Sequence, residues 1–258
     1  MRRQILRAIP LLYRLRVHQL RLQRHLRDLW LSVPFASRQA LDLPVRAVSH
    51  QSLLRRRLGD TDPQLQENKV VNLRLASPTI DGLVLDPGQV FSLWQRVGPP
   101  VARRGYIDGV QLSQGEVRVG VGGGLCQLAN LLYWMALHTP LRVIERHHHS
   151  FDAFPDSERV LPFGSGAGIF YNYVDLRFYN PTEQRFQLKV WVNDKHLKGE
   201  VRSDREWPWS YSVFEKHHRF TRESGQVFRS NEIWRRVIDR ATGERLCEER
   251  LMANRALV

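Results

Sequence analysis

Cysteine is nearly missing from this chain: its 258 residues contain two, Cys126 and Cys247. Two thiols cannot build a disulfide framework, and a chain of this length buries enough apolar surface to need neither that nor a structural metal. Long apolar runs are missing too, since no stretch approaches the roughly 18 to 20 residues that span a bilayer. The opening MRRQILRAIPLLYRLRVHQLRLQRHLRDLW starts basic, as a signal peptide does, but Arg14 and Arg16 stop its apolar run and no small-residue cleavage site follows. These gaps set the expectation of a reduced, cytoplasmic protein with neither signal peptide nor transmembrane helix. Internal repeats and low-complexity segments are also lacking, so the chain is not read as a repeat array.

Acidic residues are scarce at the N-terminus. Residues 1–60 carry 13 Lys and Arg against three Asp, which leaves only +3 of the net charge of +13 to the other 198 residues. The excess belongs to one segment and no DNA- or RNA-binding motif accompanies it, so nucleic acid is not an expected partner. Ile5, Ala8, Leu12, Leu15, Leu22, Leu26 and Leu29 recur at helical spacing, with Arg14, Arg21, Arg24 and Arg27 off that face and Pro10 starting or kinking the helix. Residues 1–30 are therefore expected either to lie on an anionic membrane surface or to dock on their own domain. The second is the plainer reading, because an apolar stripe usually faces a core.

Beyond it, NKVVNLRLAS reads as a helix or strand, LDPGQVFSLW as a Pro-Gly turn feeding a strand, and residues 98–124, rich in glycine, as short strands and tight turns. The stretch CQLANLLYWMALH reads as a buried helix closed by Thr139-Pro140. LRVIERHHHS and GIFYNYVDLRFYN read as strands, and FQLKVWV alternates cleanly, with Phe186, Leu188, Val190 and Val192 on one face. RVIDRATGERLCEERL reads as a hairpin bent at Thr242-Gly243.

The stretch VGGGLCQ places a thiol directly after three glycines and at the start of an apolar helix. Unpaired N–H groups and the helix dipole favour a thiolate there, and Gly122, Gly123 and Gly124, with Gln127, are candidates for cupping an oxyanion or substrate. Histidines 147–149 end the next strand and Asp175 falls in the one after, so Cys126, His149 and Asp175 can be read as nucleophile, base and orienting group. Asp152 and Asn172 are alternative third members, an ordinary pairing with Arg177 is the other reading of Asp175, and packing as a small hydrophobe is the other reading of Cys126. This order of parts is that of transglutaminase-like and papain-type thiol enzymes. Neither metal nor cofactor is expected, since His147 and His149 with one distant cysteine lack the tight spacing of a zinc site.

The runs GGGLCQLANLLYW and LHTPLRVIERHHHSFDAFPDSERVLPFGSGAGIFYNYVDLRFYN closely resemble the VanW-like family, as do NKVVNLRLA, PGQVFSLWQRVG, GYIDGV, LKVWVNDKHLKGEVRSD and NEIWRRVIDRATGE. The resemblance runs from about residue 48 to the end. It implies a cysteine, a histidine and an aspartate at Cys126, His149 and Asp175; many long-form members have Asp-Ala where this chain has Gly166-Ala167. It also implies a link to B-type vancomycin resistance, where the family's founding member is an accessory protein, and to peptidoglycan. The expected function is a thiol enzyme acting on amide bonds of peptidoglycan or its precursors; the alternative is a non-catalytic module binding a cell-wall precursor or partner. A cell-wall substrate in a cytoplasmic protein would have to be a precursor, or be met from the inner membrane face.

The expected fold is α+β, an antiparallel sheet packed on a central helix that begins at Cys126. A basic helical extension would occupy 1–60, the Cys/His core 61–182, and a β-rich portion 183–258.

Overall fold

The computed structural model describes residues 10–55, 62–113, 116–148 and 161–257. The chain is α+β and its strand pairings are antiparallel. Helix α1 (Pro10–Trp30) leads to β1 (Val45–Leu53) and α2 (Gln64–Ala76). Short elements follow: β2 (Leu83–Leu85), β3 (Val90–Ser92), α3 (Leu93–Val97), and the hairpin of β4 (Asp108–Ser113) and β5 (Glu116–Val121). After α4 (Cys126–Leu137) come β6 (Arg142–Glu145), β7 (Arg177–Tyr179), β8 (Phe186–Val192) and β9 (His196–Ser203). Three long strands close the chain: β10 (Trp209–Glu223), β11 (Gln226–Asp239) and β12 (Arg245–Leu257).

The central sheet has the order β1-β9-β8-β2, so it joins a strand from the first 60 residues to strands beyond residue 182. A second sheet, β3-β7-β6, lies beside it, and β10-β11-β12 form a third. The apolar run of α4 fills the space between elements: Leu128, Leu131, Leu132 and Met135 are buried in one cluster with Phe91, Phe178, Phe186 and Leu188. Leu131 and Met135 press on β9 at Gly199, where a Cβ would fall 2.6 Å from the Met135 Cε. Glycine at this position leaves room for the ends of the Leu131 and Met135 side chains to lie on the strand. The alternation in β8 holds, with Phe186, Leu188 and Val190 buried, but Gln187 is buried as well because its amide bonds the carbonyls of Ala40, Leu41 and Gly82.

Two expectations are corrected. The segment GIFYNYVDLRFYN is not one strand: Phe170 pairs with Val174 around a turn, β7 is confined to Arg177–Tyr179, and Asp175 sits just ahead of it. The Asp175 carboxylate accepts from the backbone N–H groups of Trp94 and Leu176, a side-chain-to-backbone pattern that displaces a regular ladder. The second correction concerns α1. Its docked face is Val17, Arg21, Arg24 and Asp28, while its leucines point away from the domain. The surface it meets is made of carbonyls and charges: Arg21 and Arg24 donate to the carbonyls of Tyr171 and Tyr173, Arg24 grips Glu145 with two bonds of 2.7 and 2.6 Å, and Asp28 grips Arg177 likewise. Such a surface selects the polar side of the helix.

This docking is pH-dependent. Burial works against the charge of Glu145, but hydrogen bonds from His147 and Arg24 outweigh it and bring its pKa from the usual 4.5 to about 2. A carboxyl with a depressed folded-state pKa stabilises the fold fully above its ordinary value, and that contribution fades as pH falls from about 4.5 to about 2. Proteolysis within α1 should accelerate across that interval, and Glu145→Gln should cleave fast at neutral pH with a weakened acid step. An unchanged acid step in Glu145→Gln would assign the release to another carboxyl.

Candidate functional site

The site is built around the turn between β5 and α4. Gly122 and Gly124 have φ of +78° and +91°, which L side chains rarely adopt. Gly123 lies directly on the backbone of β4: a Cβ there would sit 2.0 Å from the carbonyl carbon of Gly109. Asn72 of α2, fully buried, holds the arrangement by donating to the carbonyls of Gly123 and Ile107 and accepting from the Ile107 N–H. Lys69 lies one turn earlier, its aliphatic stem against Gly124. Gly123→Ala should therefore cost about 3 kcal/mol or more in urea unfolding, since neither backbone can yield to the added methyl. A loss under 1 kcal/mol would show that the turn can open.

Cys126 follows at the start of α4 and is half-buried. Burial pushes its thiol above the ordinary value; the backbone N–H groups of Ile169 and of Cys126 itself work the other way without prevailing. The direction is opposite to that expected of a preformed thiolate, because desolvation outweighs the first-turn N–H groups. In the unliganded protein, iodoacetamide should accordingly alkylate Cys126 more slowly than the exposed Cys247, which peptide mapping can resolve. Faster reaction at Cys126 at neutral pH would mean that the thiol is activated without substrate.

The loop that covers the sulfur is fixed at both ends. The Ala167 N–H donates to the Asn130 side chain, one turn along α4, at 2.7 Å. Gly168 pairs with His147 through a backbone bridge. The thiol and the histidine run thus flank one three-residue segment, Ala167 to Ile169. His147 contacts Glu145 at 3.2 Å, and His148 is pushed below the usual imidazole range by burial and by the charges of Arg146 and His147. His149 and Asp152 lie outside the described residues.

The other sequence candidates are engaged elsewhere. The Gly122 and Gly123 N–H groups donate to the carbonyls of Ile107 and Gly120, and the Gln127 amide donates to Ser52 and Leu53 at the end of β1. Asp175 is completely buried and accepts four bonds: from Ser92 (2.5 Å), Trp94 N–H, Leu176 N–H and Arg177 (2.8 Å). A carboxylate offers about four acceptor positions, so these donors leave none for an imidazole. Burial raises its pKa, with Ser92 and Arg177 opposing. Its pairing with Arg177 belongs to a buried network that also holds Asp28, and Glu145 at 3.6 Å. Asn72, Asn130 and Glu145 were not singled out from sequence. The available signals were a polar residue in the buried stripe of α2 and the spacing of two between Glu145 and His147, which puts them on one strand face.

A cleft of about 830 Å³ opens elsewhere, between the end of α4 and the long strands, lined by Pro140, Trp207, Trp209, Tyr211 and Arg235.

Comparison with known proteins comes down on the segment that carries the glycine turn. A family model described as "VanW like protein" matches residues 68–202. The vancomycin B-type resistance protein VanW of Enterococcus faecalis (strain ATCC 700802 / V583) is 35% identical over 179 residues, 69% of this chain and 65% of that protein. The uncharacterized protein YoaR of Bacillus subtilis (strain 168) is 31% identical over 119 residues, 46% of this chain and 38% of that protein. The chain thus spans just under two thirds of the first relative and well under half of the second. No solved structure matches it.

Proposed function

Since this chain belongs to the VanW-like family, we propose that it is a thiol acyltransferase or hydrolase acting on amide bonds of peptidoglycan peptides or their precursors, with Cys126 as nucleophile. The observation that supports this most directly is the shared segment: the Ile169 N–H acts on the Cys126 thiol, and the adjacent Gly168 is bridged to His147, two residues beyond the end of β6. The name of the Enterococcus relative, a vancomycin resistance protein, supports the substrate class, because vancomycin resistance concerns cell-wall peptides.

In this reading the resting thiol is neutral and a histidine of the run 147–149 removes its proton as the donor amide binds; His149 is the member the family pattern points to. The sulfur attacks the carbonyl carbon, an S–C bond forms, and the oxyanion is met by the N–H groups of Cys126 and Ile169. The imidazolium returns the proton to the leaving amine as the C–N bond breaks, which leaves a thioester. Water or an acceptor amine then attacks the thioester, gives up a proton through the imidazole, and restores the thiol. Asp175 has no part in this scheme beyond holding Arg177 and the Ser92–Trp94 backbone in place. The test is to incubate the protein with cell-wall stem peptides and look by intact mass spectrometry for an acyl adduct that maps to Cys126. If no adduct and no product form over a broad pH range, the catalytic reading fails.

One observation favours a second reading, a non-catalytic module: burial raises the Cys126 thiol, as it does for a packed, inert cysteine. On that reading Cys126→Ser binds cell-wall peptides as well as the unaltered protein and neither turns them over.

A further inference from the structure

The orientation of α1 is the feature that neither the site nor the family accounts for. An amphipathic helix on a globular domain ordinarily turns its apolar stripe to the core. Here the stripe is turned outward: Leu11, Leu15, Leu22, Leu26, Leu29 and Trp30 are 54–84% exposed. The helix is nevertheless held firmly, because Arg21, Arg24 and Asp28 bond to Tyr171, Tyr173, Glu145 and Arg177 on the opposite side. An apolar surface of this extent on an anchored helix marks an interaction site.

Charge decides between occupants. Residues 10–30 contain five arginines and one acid, and that acid, Asp28, is buried against Arg177. The arginines not used for docking, Arg14, Arg16 and Arg27, are exposed on the flanks of the leucine stripe. A second copy would bring the same cationic flanks against its own, and the helix's one carboxylate, Asp28, is already buried against Arg177 on the opposite side, so like charges beside an apolar seam oppose pairing. Leucines and a terminal tryptophan between rows of arginine instead match a surface that is apolar at depth and anionic at its rim. No helix of the described residues is long and apolar enough to cross a membrane, so the fit is to the interface and not to a span.

We propose that the leucine face of α1 seats the protein on an anionic phospholipid surface, with the Arg21/Arg24/Asp28 bonds fixing how the rest of the fold stands relative to the lipid. Whether Cys126 is catalytic does not enter this inference.

The experiment is flotation of the full chain with vesicles of phosphatidylcholine alone or mixed with phosphatidylglycerol, followed by tryptophan emission. Binding to the anionic vesicles, weak binding to neutral ones, and a blue shift that Trp30→Phe diminishes are expected. Leu22→Glu/Leu26→Glu should lower partitioning at least tenfold. Arg14→Gln/Arg16→Gln/Arg27→Gln should lower it about 100-fold on anionic vesicles only, taking about fivefold for each basic side chain near the surface. These positions face solvent, and the arginine variant tests the idea even if the leucine variant folds poorly. Equal binding to both vesicle types, or none to either, overturns the proposal. So does a dimer in sedimentation that Leu22→Glu/Leu26→Glu converts to monomer, which would assign the face to a second copy.

Discussion

Replacing Cys126 with alanine is expected to lower acyl transfer or hydrolysis of stem peptides by a factor on the order of 10⁴ or more, the usual consequence of removing a covalent nucleophile from a site whose binding groups survive. The fold should tolerate the change. Cys126 is half-buried and alanine removes one sulfur, so the stability loss should stay near 1 kcal/mol, a small part of the total for a domain. Activity and urea stability measured on the same preparation therefore separate chemistry from folding. Retention of a tenth of the rate would remove Cys126 from the mechanism. The conservative Cys126→Ser keeps the volume and the N–H groups of Ile169 and residue 126 around it, so it should bind substrate while remaining nearly inactive. The pH profile carries a sign as well. Because burial holds the thiol protonated, the rate should climb with pH as base assistance to the sulfur improves, without the low-pH plateau of a preformed thiolate–imidazolium pair.

The second large effect belongs to Arg177. Its guanidinium is buried and bonded to Asp28 at 2.7 and 2.6 Å and to Asp175 at 2.8 Å. Burial disfavours its charge, but hydrogen bonds and charge from Asp28 and Asp175 prevail and hold its pKa above the ordinary arginine value. Arg177→Met keeps most of the length and removes the charge, which strands two buried carboxylates. Breaking a buried pair from one side typically costs 3 to 5 kcal/mol, or roughly 10 °C in Tm for a domain of this size. It should also release α1, detectable as rapid cleavage at its arginines, because Asp28 loses its anchor. Adding Asp28→Asn to Arg177→Met should recover part of the loss, since one stranded charge is then neutral. A single-variant cost below 1 kcal/mol would show that the network is incidental to the fold.

Much of the local structure was readable because it rests on short-range chemistry. The apolar run from Leu128 to Ala136 had to be buried, and it is. The alternation of Phe186, Leu188 and Val190 had to turn one face inward, and the Pro87-Gly88 turn leads into β3. The strand drawn through Asp175 failed for a reason that period alone cannot reveal: a carboxylate that finds four donors, two of them on β3 and α3, outbids the ladder. Those partners lie more than 80 residues earlier in the chain. The same applies to Gln127, whose place after the thiol suggested substrate binding and whose amide instead ties α4 to β1. A side chain's spacing in sequence identifies what it can donate, not who stands opposite.

The amino-acid order by itself determined the family, the α+β class, the glycine turn ahead of the thiol and the amphipathic character of residues 10–30. Each depends on motif or periodicity within a few turns of chain. Tertiary structure alone decided that burial pushes the thiol's pKa up and not down, that Asp175 serves Arg177, and that the leucines of α1 face outward. Those outcomes are set by electrostatics and desolvation among groups far apart in sequence, and the energy of a charge depends on what surrounds it more than on what precedes it.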